Sequence, residues 1–166
     1  FRSRRKKEGG ARDIPDEQRL SLFNSLMKSA DYVDIEASSS GILKSVLKSA
    51  KKEGKKTIVS YHNFKSTPGD KKLKEIIMSA RRSGADIVKV ATYVTSTGDL
   101  RRLTSLLSLS QGLIVIGMGP LGAASRVFFP FLGSLFTYGS ITGKTAPGQM
   151  SVRELRKEFS RYSYSN

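Results

Sequence analysis

Asp86-Ile87-Val88-Lys89-Val90-Ala91 is the stretch on which the reading of this chain turns. It is an apolar run of the kind that forms a buried strand, yet a lysine sits at its centre. Burying an ammonium group without a partner is costly, so an amine in this place asks for a chemical reason. Two other β-type runs also lead to a polar side chain. Thr57-Ile58-Val59-Ser60-Tyr61-His62 ends on the chain's single histidine, and Leu113-Ile114-Val115-Ile116 is followed by Arg126. A lysine, a histidine and an arginine on or after successive strands read as a site built on a parallel sheet.

Moving outward, strands and helices alternate. Strands are predicted over Tyr32–Ala37, Thr57–His62, Asp86–Tyr93, Leu113–Met118 and Leu135–Ile141, and Phe1–Arg4 reads as the tail of another. Leu20, Phe23, Met27 and Ala30 share one helical face. So do Ile42, Leu43, Val46, Leu47 and Ala50, and further on Leu73, Ile76, Ile77 and Ala80, with Asp70 as N-cap and Gly84 as stop. Asp99 is predicted to cap a helix carrying Leu100, Leu103 and Leu107. Ser125–Leu132 is a weaker helix interrupted by Pro130. Ser151-Val152-Arg153-Glu154 is a capping box for a last helix that turns Val152, Leu155 and Phe159 inward.

Apolar strands alternating with amphipathic helices imply an α/β protein with a parallel sheet covered by helices. Polar residues at several strand ends favour a (β/α)8 TIM-type barrel, whose site is assembled at the C-terminal face of the strands, over a doubly wound sheet. About six strands can be counted where a barrel needs eight. The expectation is one barrel domain over residues 1–166, with its first two strand–helix units missing.

The chain has 166 residues and a formal net charge of +15, from 29 Lys and Arg against 14 Asp and Glu. It has no cysteine, which excludes a disulfide framework and Cys-based zinc sites. No signal peptide or membrane span is read from the sequence, and a cytoplasmic setting is expected. The basic excess raises a nucleic-acid-binding domain as an alternative. However, Lys44, Lys48, Lys51, Lys52, Lys55 and Lys56 fall on the solvated face of one helix, without interleaved stacking aromatics, so no nucleic-acid partner is expected.

Two glycine patterns are decoys. Gly117-Met118-Gly119-Pro120-Leu121-Gly122 has the G-x-G-x-x-G spacing, but Pro120 sits in the turn and no acidic residue follows about 20 positions on. Gly139-Ser140-Ile141-Thr142-Gly143-Lys144-Thr145 is one residue short of a phosphate-binding loop.

Six short motifs then occur in one order: Arg4-Arg5-Lys6-Lys7-Glu8-Gly9-Gly10; Tyr32-Val33-Asp34-Ile35-Glu36; Ser60-Tyr61-His62-Asn63-Phe64 with Thr67-Pro68; Asp86-Ile87-Val88-Lys89; Met118-Gly119 with Ser125-Arg126; and Ala146-Pro147-Gly148-Gln149. The ordered set resembles the type I 3-dehydroquinate dehydratases over nearly the whole chain. The resemblance implies a shikimate-pathway lyase that dehydrates 3-dehydroquinate to 3-dehydroshikimate through a Schiff base, with neither metal nor organic cofactor. It implies that Lys89 forms the imine, that His62 is the general acid and base, and that Glu8 orients the histidine. Arg4, Arg126, Thr145 and Gln149 would bind substrate, Arg126 as carboxylate clamp and Gln149 from a closing loop. Thr145 stands where the family commonly has serine. The family's early E-x-R-x-D motif has no counterpart here. Glu36 is not read as its replacement; Asp34 and Glu36 are read either as lining the barrel floor or as anchoring the lysine and histidine. A homodimer is the expected assembly. Another lysine-imine barrel enzyme of the class I aldolase kind and an inactive fragment are the remaining alternatives.

Overall fold

The structure is a computed structural model of the chain and describes residue 3, residues 14–141 and residues 146–162. The described strands form one sheet in the order β1-β2-β3-β4, which is also their order along the chain. Contacts divide the chain into two compact units. One holds residues up to His62 together with Asp70–Lys89, and the other holds Asn63–Gly69 and the residues from Val90 onward.

In the first unit, helix α1 (Asp16–Leu26) follows Pro15, and Asp16 and Glu17 place negative charge at its positive end. A single 3-10 turn, Met27–Ser29, leads to strand β1 (Tyr32–Glu36). Helix α2 (Ser40–Lys52), strand β2 (Lys56–Asn63), helix α3 (Asp70–Arg82) and strand β3 (Ile87–Tyr93) follow. β1 and β2 pair in parallel, with Asp34 beside Ile58 and Glu36 beside Ser60. Side chains alternate across a strand. Val33 and Ile35 therefore share one face of the sheet, while Asp34 and Glu36 share the other. The expected faces of α2 and α3 are largely buried, with Leu43 and Ile76 half-buried, whereas Ala30, expected on the first helix, lies past α1 and caps the 3-10 turn. Ile42, Val46, Leu47 and Ala50 of α2 are buried, and Leu73, Ile77 and Ala80 of α3 likewise. Each large aliphatic side chain so covered contributes about 1.5–3 kcal/mol. The lysines of α2 lie outside, and Lys44, Lys48 and Lys51 line a surface groove of about 610 Å³ together with Lys55 and Lys56, which the sequence placed on this helix but which stand after it, Lys56 opening β2.

β3 starts at Ile87 rather than Asp86, and the Asp86 carboxylate just before it is engaged sideways. It accepts hydrogen bonds from the Thr57 backbone N–H and hydroxyl, both at 2.8 Å, and lies 3.7 Å from Lys56. Burial pushes its acidity the other way, but these contacts outweigh it and hold the carboxyl below its ordinary value.

In the second unit, helix α4 (Thr97–Leu109), strand β4 (Leu113–Met118), helix α5 (Ser125–Phe131) and helix α6 (Val152–Arg161) follow the end of β3. Three expectations need correcting here. The N-cap of α4 is Ser96. Asp99 is the third helical residue, returning the bond in a reciprocal capping box. The α6 capping box forms between Ser151 and Glu154 as expected, but only Leu155 is buried. Val152 is exposed and Phe159 half-buried. Leu135–Ile141 is not a strand. Leu135 N–H reaches the Leu113 carbonyl, and Ser140 makes one isolated bridge to Ser151. Gly139 lies against the backbone of Val152, leaving no room for a side chain, while Leu135 and Ile141 at the two ends are exposed. The run has β-type composition without the alternating burial that makes a strand. Phe1–Arg4, apart from Ser3, falls outside the described residues.

Candidate active site

Lys89 lies in the middle of β3, 2 % exposed. Its ammonium donates to Asp34 Oδ2 of β1 at 3.0 Å, across the intervening strand β2. Apolar walls alone would favour the neutral amine. The buried carboxylate of Asp34 opposes that by favouring the charged form. Asp34 thus fixes the lysine, one of the two readings the sequence left open for it.

His62 stands on β2 in the same alternation as Ile58 and Ser60, the register partners of Asp34 and Glu36. It is half-buried. Lys89, through its bond to Asp34, and His62 are thereby brought to one face of the first unit's sheet.

Glu36 is bound by an arginine that the sequence reading did not single out. Its Oε2 accepts from the Arg19 guanidinium and from the Ser39 hydroxyl at 3.0 Å. Arg19 is wholly buried and also donates to Asp16 at 3.1 Å, to Ser39 Oγ at 2.9 Å and to the Ser3 carbonyl at 2.7 Å. This hub joins α1, the end of β1, the turn into α2 and the chain segment just before Arg4. Sequence reasoning missed it. The available signal was spacing. Arg19 and Phe23, four residues apart, form the buried stripe of α1, and buried Met27 continues the spacing into the 3-10 turn. An arginine on an apolar stripe announces a buried acidic partner.

In the second unit, Arg126 sits in the first turn of α5 and is also 2 % exposed. Its Nη1 donates to the Tyr138 carbonyl at 3.3 Å, and its Nε is buried without a hydrogen-bond partner among the described residues. No carboxylate is paired with it among the described residues. Burial lowers the guanidinium pKa, though an arginine stays charged. A buried fork of donors with an unused edge suits a planar carboxylate.

Gln149 closes a turn in which its N–H donates to the Ala146 carbonyl at 3.2 Å, and its side chain is buried. Arg4, Glu8 and Thr145 lie outside the described residues.

The Gly117–Gly122 pattern is a packing device. An added Cβ on Gly122 would lie 2.4 Å from the Gly117 carbonyl carbon and 2.5 Å from the Met118 oxygen. Ser125 Oγ accepts from Gly117 N–H at 2.8 Å and donates to the Gly122 carbonyl at 2.6 Å. These glycines let a turn lie flat on the end of β4. Most of the Gly139–Thr145 pattern lies outside the described residues. Among the described residues no three His, Cys, Asp or Glu side chains gather as metal ligands, and no helix is long and apolar enough to cross a membrane.

Comparison with known proteins supplies the frame for these side chains. The family model described as Type I 3-dehydroquinase matches residues 1–164. A 3-dehydroquinate dehydratase of Thermococcus gammatolerans is 41 % identical over 155 residues, covering 93 % of this chain and 72 % of that protein. The solved 3-dehydroquinate dehydratase of Aquifex aeolicus superimposes with a TM-score of 0.86 at 35 % identity, covering 98 % of this chain and 73 % of the other. That of Geobacillus kaustophilus gives 0.87 at 29 % identity, covering 98 % and 67 %. The α/β fold read from the strand–helix alternation is the fold of these barrel enzymes, and the chain belongs to the type I 3-dehydroquinase family.

Proposed function

We propose that Lys89 is the imine-forming residue of a 3-dehydroquinate dehydratase. Membership in the family makes the chain a hydro-lyase of the shikimate pathway, acting on 3-dehydroquinate in aromatic amino-acid biosynthesis. The observation that carries the residue assignment is the buried Lys89–Asp34 pair, with His62 on the same sheet face.

In this reading Lys89 Nζ must lose a proton before it attacks the substrate ketone, and Asp34 Oδ2, 3.0 Å away, is placed to receive it. Attack and loss of the carbonyl oxygen as water give the imine, which withdraws electrons from the adjacent carbon. His62 takes the proton from that carbon and returns one to the departing hydroxyl, so that the second water leaves. Hydrolysis then consumes one water and frees the lysine, for a net loss of one water. Arg126 clamps the substrate carboxylate and Gln149 contacts substrate from its turn. Arg4 and Thr145 bind substrate, and Glu8 orients His62. The lysine itself supplies the electron sink, so the route uses neither metal nor organic cofactor. The reaction is placed in the cytoplasm, and the assembly is taken as a homodimer.

Borohydride reduction in the presence of 3-dehydroquinate, followed by peptide mass mapping, is expected to label Lys89 irreversibly. Lys89→Ala should remove both label and turnover. Lys89→Arg should also be inactive, because a guanidinium does not deprotonate to attack a carbonyl. Label on another lysine of an active preparation, with Lys89 unmodified, overturns the assignment.

A further inference from the structure

The turn that carries Gln149 rests on a stack of three residues from the second unit. Gly119, just past β4, has φ of +84°, and a Cβ built on it would meet the Tyr93 ring at 2.8, 3.0 and 3.1 Å. Gly119 thus lies flat on the ring. Its N–H donates to the Pro147 carbonyl at 3.1 Å. Gly148 has φ of +69°, and a Cβ on it would stand 2.3 Å from the Gly119 oxygen and 2.9 Å from its carbonyl carbon. Backbone therefore packs on backbone with no space for a methyl group, and Gln149 is the next residue. The base of the stack is pinned in turn. The Tyr93 carbonyl accepts from Thr67 Oγ1 at 2.9 Å, and Thr67 Oγ1 also bonds Thr92 Oγ1 at 2.9 Å. This gives a task to Thr67-Pro68, a motif to which no chemistry is otherwise attached.

We propose that Tyr93, Gly119 and Gly148 form a seat that fixes the height of the 146–149 turn and so positions Gln149 for substrate. They are positioning residues, acting only through Gln149. The inference rests on the dehydratase reading given above. A side chain at 119 or 148 must lift the turn, because neither the ring face nor the Gly119 peptide can yield as a flexible side chain would. The positive φ adds its own penalty for any residue with a Cβ.

The experiment is a double-mutant cycle in the purified protein, read as KM and kcat for 3-dehydroquinate. Gly148→Ala is expected to raise KM about ten-fold, the fold-change matching the middle of a left-handed penalty for a non-glycine residue, with kcat much less changed. In a Gln149→Ala background the same substitution should add almost nothing, since the residue it displaces is gone. Tyr93→Leu, which removes the flat ring without backbone strain, should show the same dependence on Gln149 and keeps the test open should Gly148→Ala fold poorly. Equal increments in both backgrounds, or an unchanged KM in Gly148→Ala and Tyr93→Leu with melting temperatures near the parent's, overturn the seat. Failure of borohydride and 3-dehydroquinate to label Lys89 in the parent protein would instead overturn the imine reading, and the seat's role with it.

Discussion

In one unit Lys89 lies 3.0 Å from Asp34, and Arg19 is held by Glu36, Asp16, Ser39 and the Ser3 carbonyl. In the other, Arg126 is as deeply buried as Lys89 and meets one carbonyl. The difference separates two uses of a buried cation. Arg19 Nε, like that of Arg126, is buried without a hydrogen-bond partner among the described residues. Both terminal nitrogens of Arg19 are answered by groups of the fold, a buried carboxylate among them, which is what a structural charge requires. Arg126 is held by the fold but left without an anion among the described residues, which is what a ligand-binding charge requires. Lys89 stands between them. Its partner Asp34 satisfies the ammonium at rest, yet that carboxylate is also where the proton can go when the amine attacks.

If this distinction is right, removing each arginine has opposite consequences. Arg19→Met leaves the buried Glu36 carboxylate without its cation. It should cost about 3–5 kcal/mol in denaturant unfolding, the usual penalty for breaking a buried pair. A loss under about 1 kcal/mol would show that the hub is not an energetic unit. Arg126→Met removes a desolvated cation that no carboxylate of the described fold answers. Stability should be unchanged or raised, while KM for 3-dehydroquinate rises about 10²-fold, as loss of a charge-assisted clamp implies. An Arg126→Met protein that melts as low as Arg19→Met, with KM intact, would erase the contrast.

The smallest effect is expected at Asp99, a carboxylate of the second unit that is fully engaged. It accepts from the Thr95 and Ser96 N–H groups, the Thr95 hydroxyl and Arg102. Burial raises its pKa, but those bonds outweigh it and hold the carboxyl below its ordinary 3.8. A depressed folded value contributes stability that is complete above the unfolded pKa and is lost as pH falls through the folded one. Asp99→Asn should therefore cost about 1 kcal/mol near neutrality, the size of a lost helix cap. The gap to the parent should stay constant down to about pH 5 and narrow in stronger acid. A gap that widens in acid would reverse the sign of this argument.

What could be read from the sequence follows the range of the forces involved. β3 was legible because six adjacent residues carry both the apolar run and the anomaly of Lys89. The capping box at Ser151 is equally local. The Leu135–Ile141 strand failed because β-type composition does not say whether a neighbour will cover alternate residues, and here Gly139 sits against Val152 instead. Asp99 was placed three residues out because Ser and Asp both serve as caps, and only geometry shows which hydroxyl receives which N–H. Arg19 stayed hidden because its partners come from residues 3, 16, 36 and 39. Of the substrate-binding set, Arg126 stood out by its place after a β-type run, but its role, and Gln149 altogether, were reachable only through motifs shared with the family. Neither charge patterning nor periodicity distinguishes them from surface residues.

The order of the sheet has a kinetic side. Because strands join it in chain order, each pairing closes a single strand–helix–strand crossover, the shortest connection a parallel sheet allows. The Lys89–Asp34 pair is the exception. It links residues 55 apart and spans the strand between them, so it can form only after β1, β2 and β3 have met. A contact made that late hardly affects the rate of folding. Its weight falls on the rate of escape, so the residue pair at the centre of the chemistry also acts as a latch that keeps the assembled sheet from coming apart.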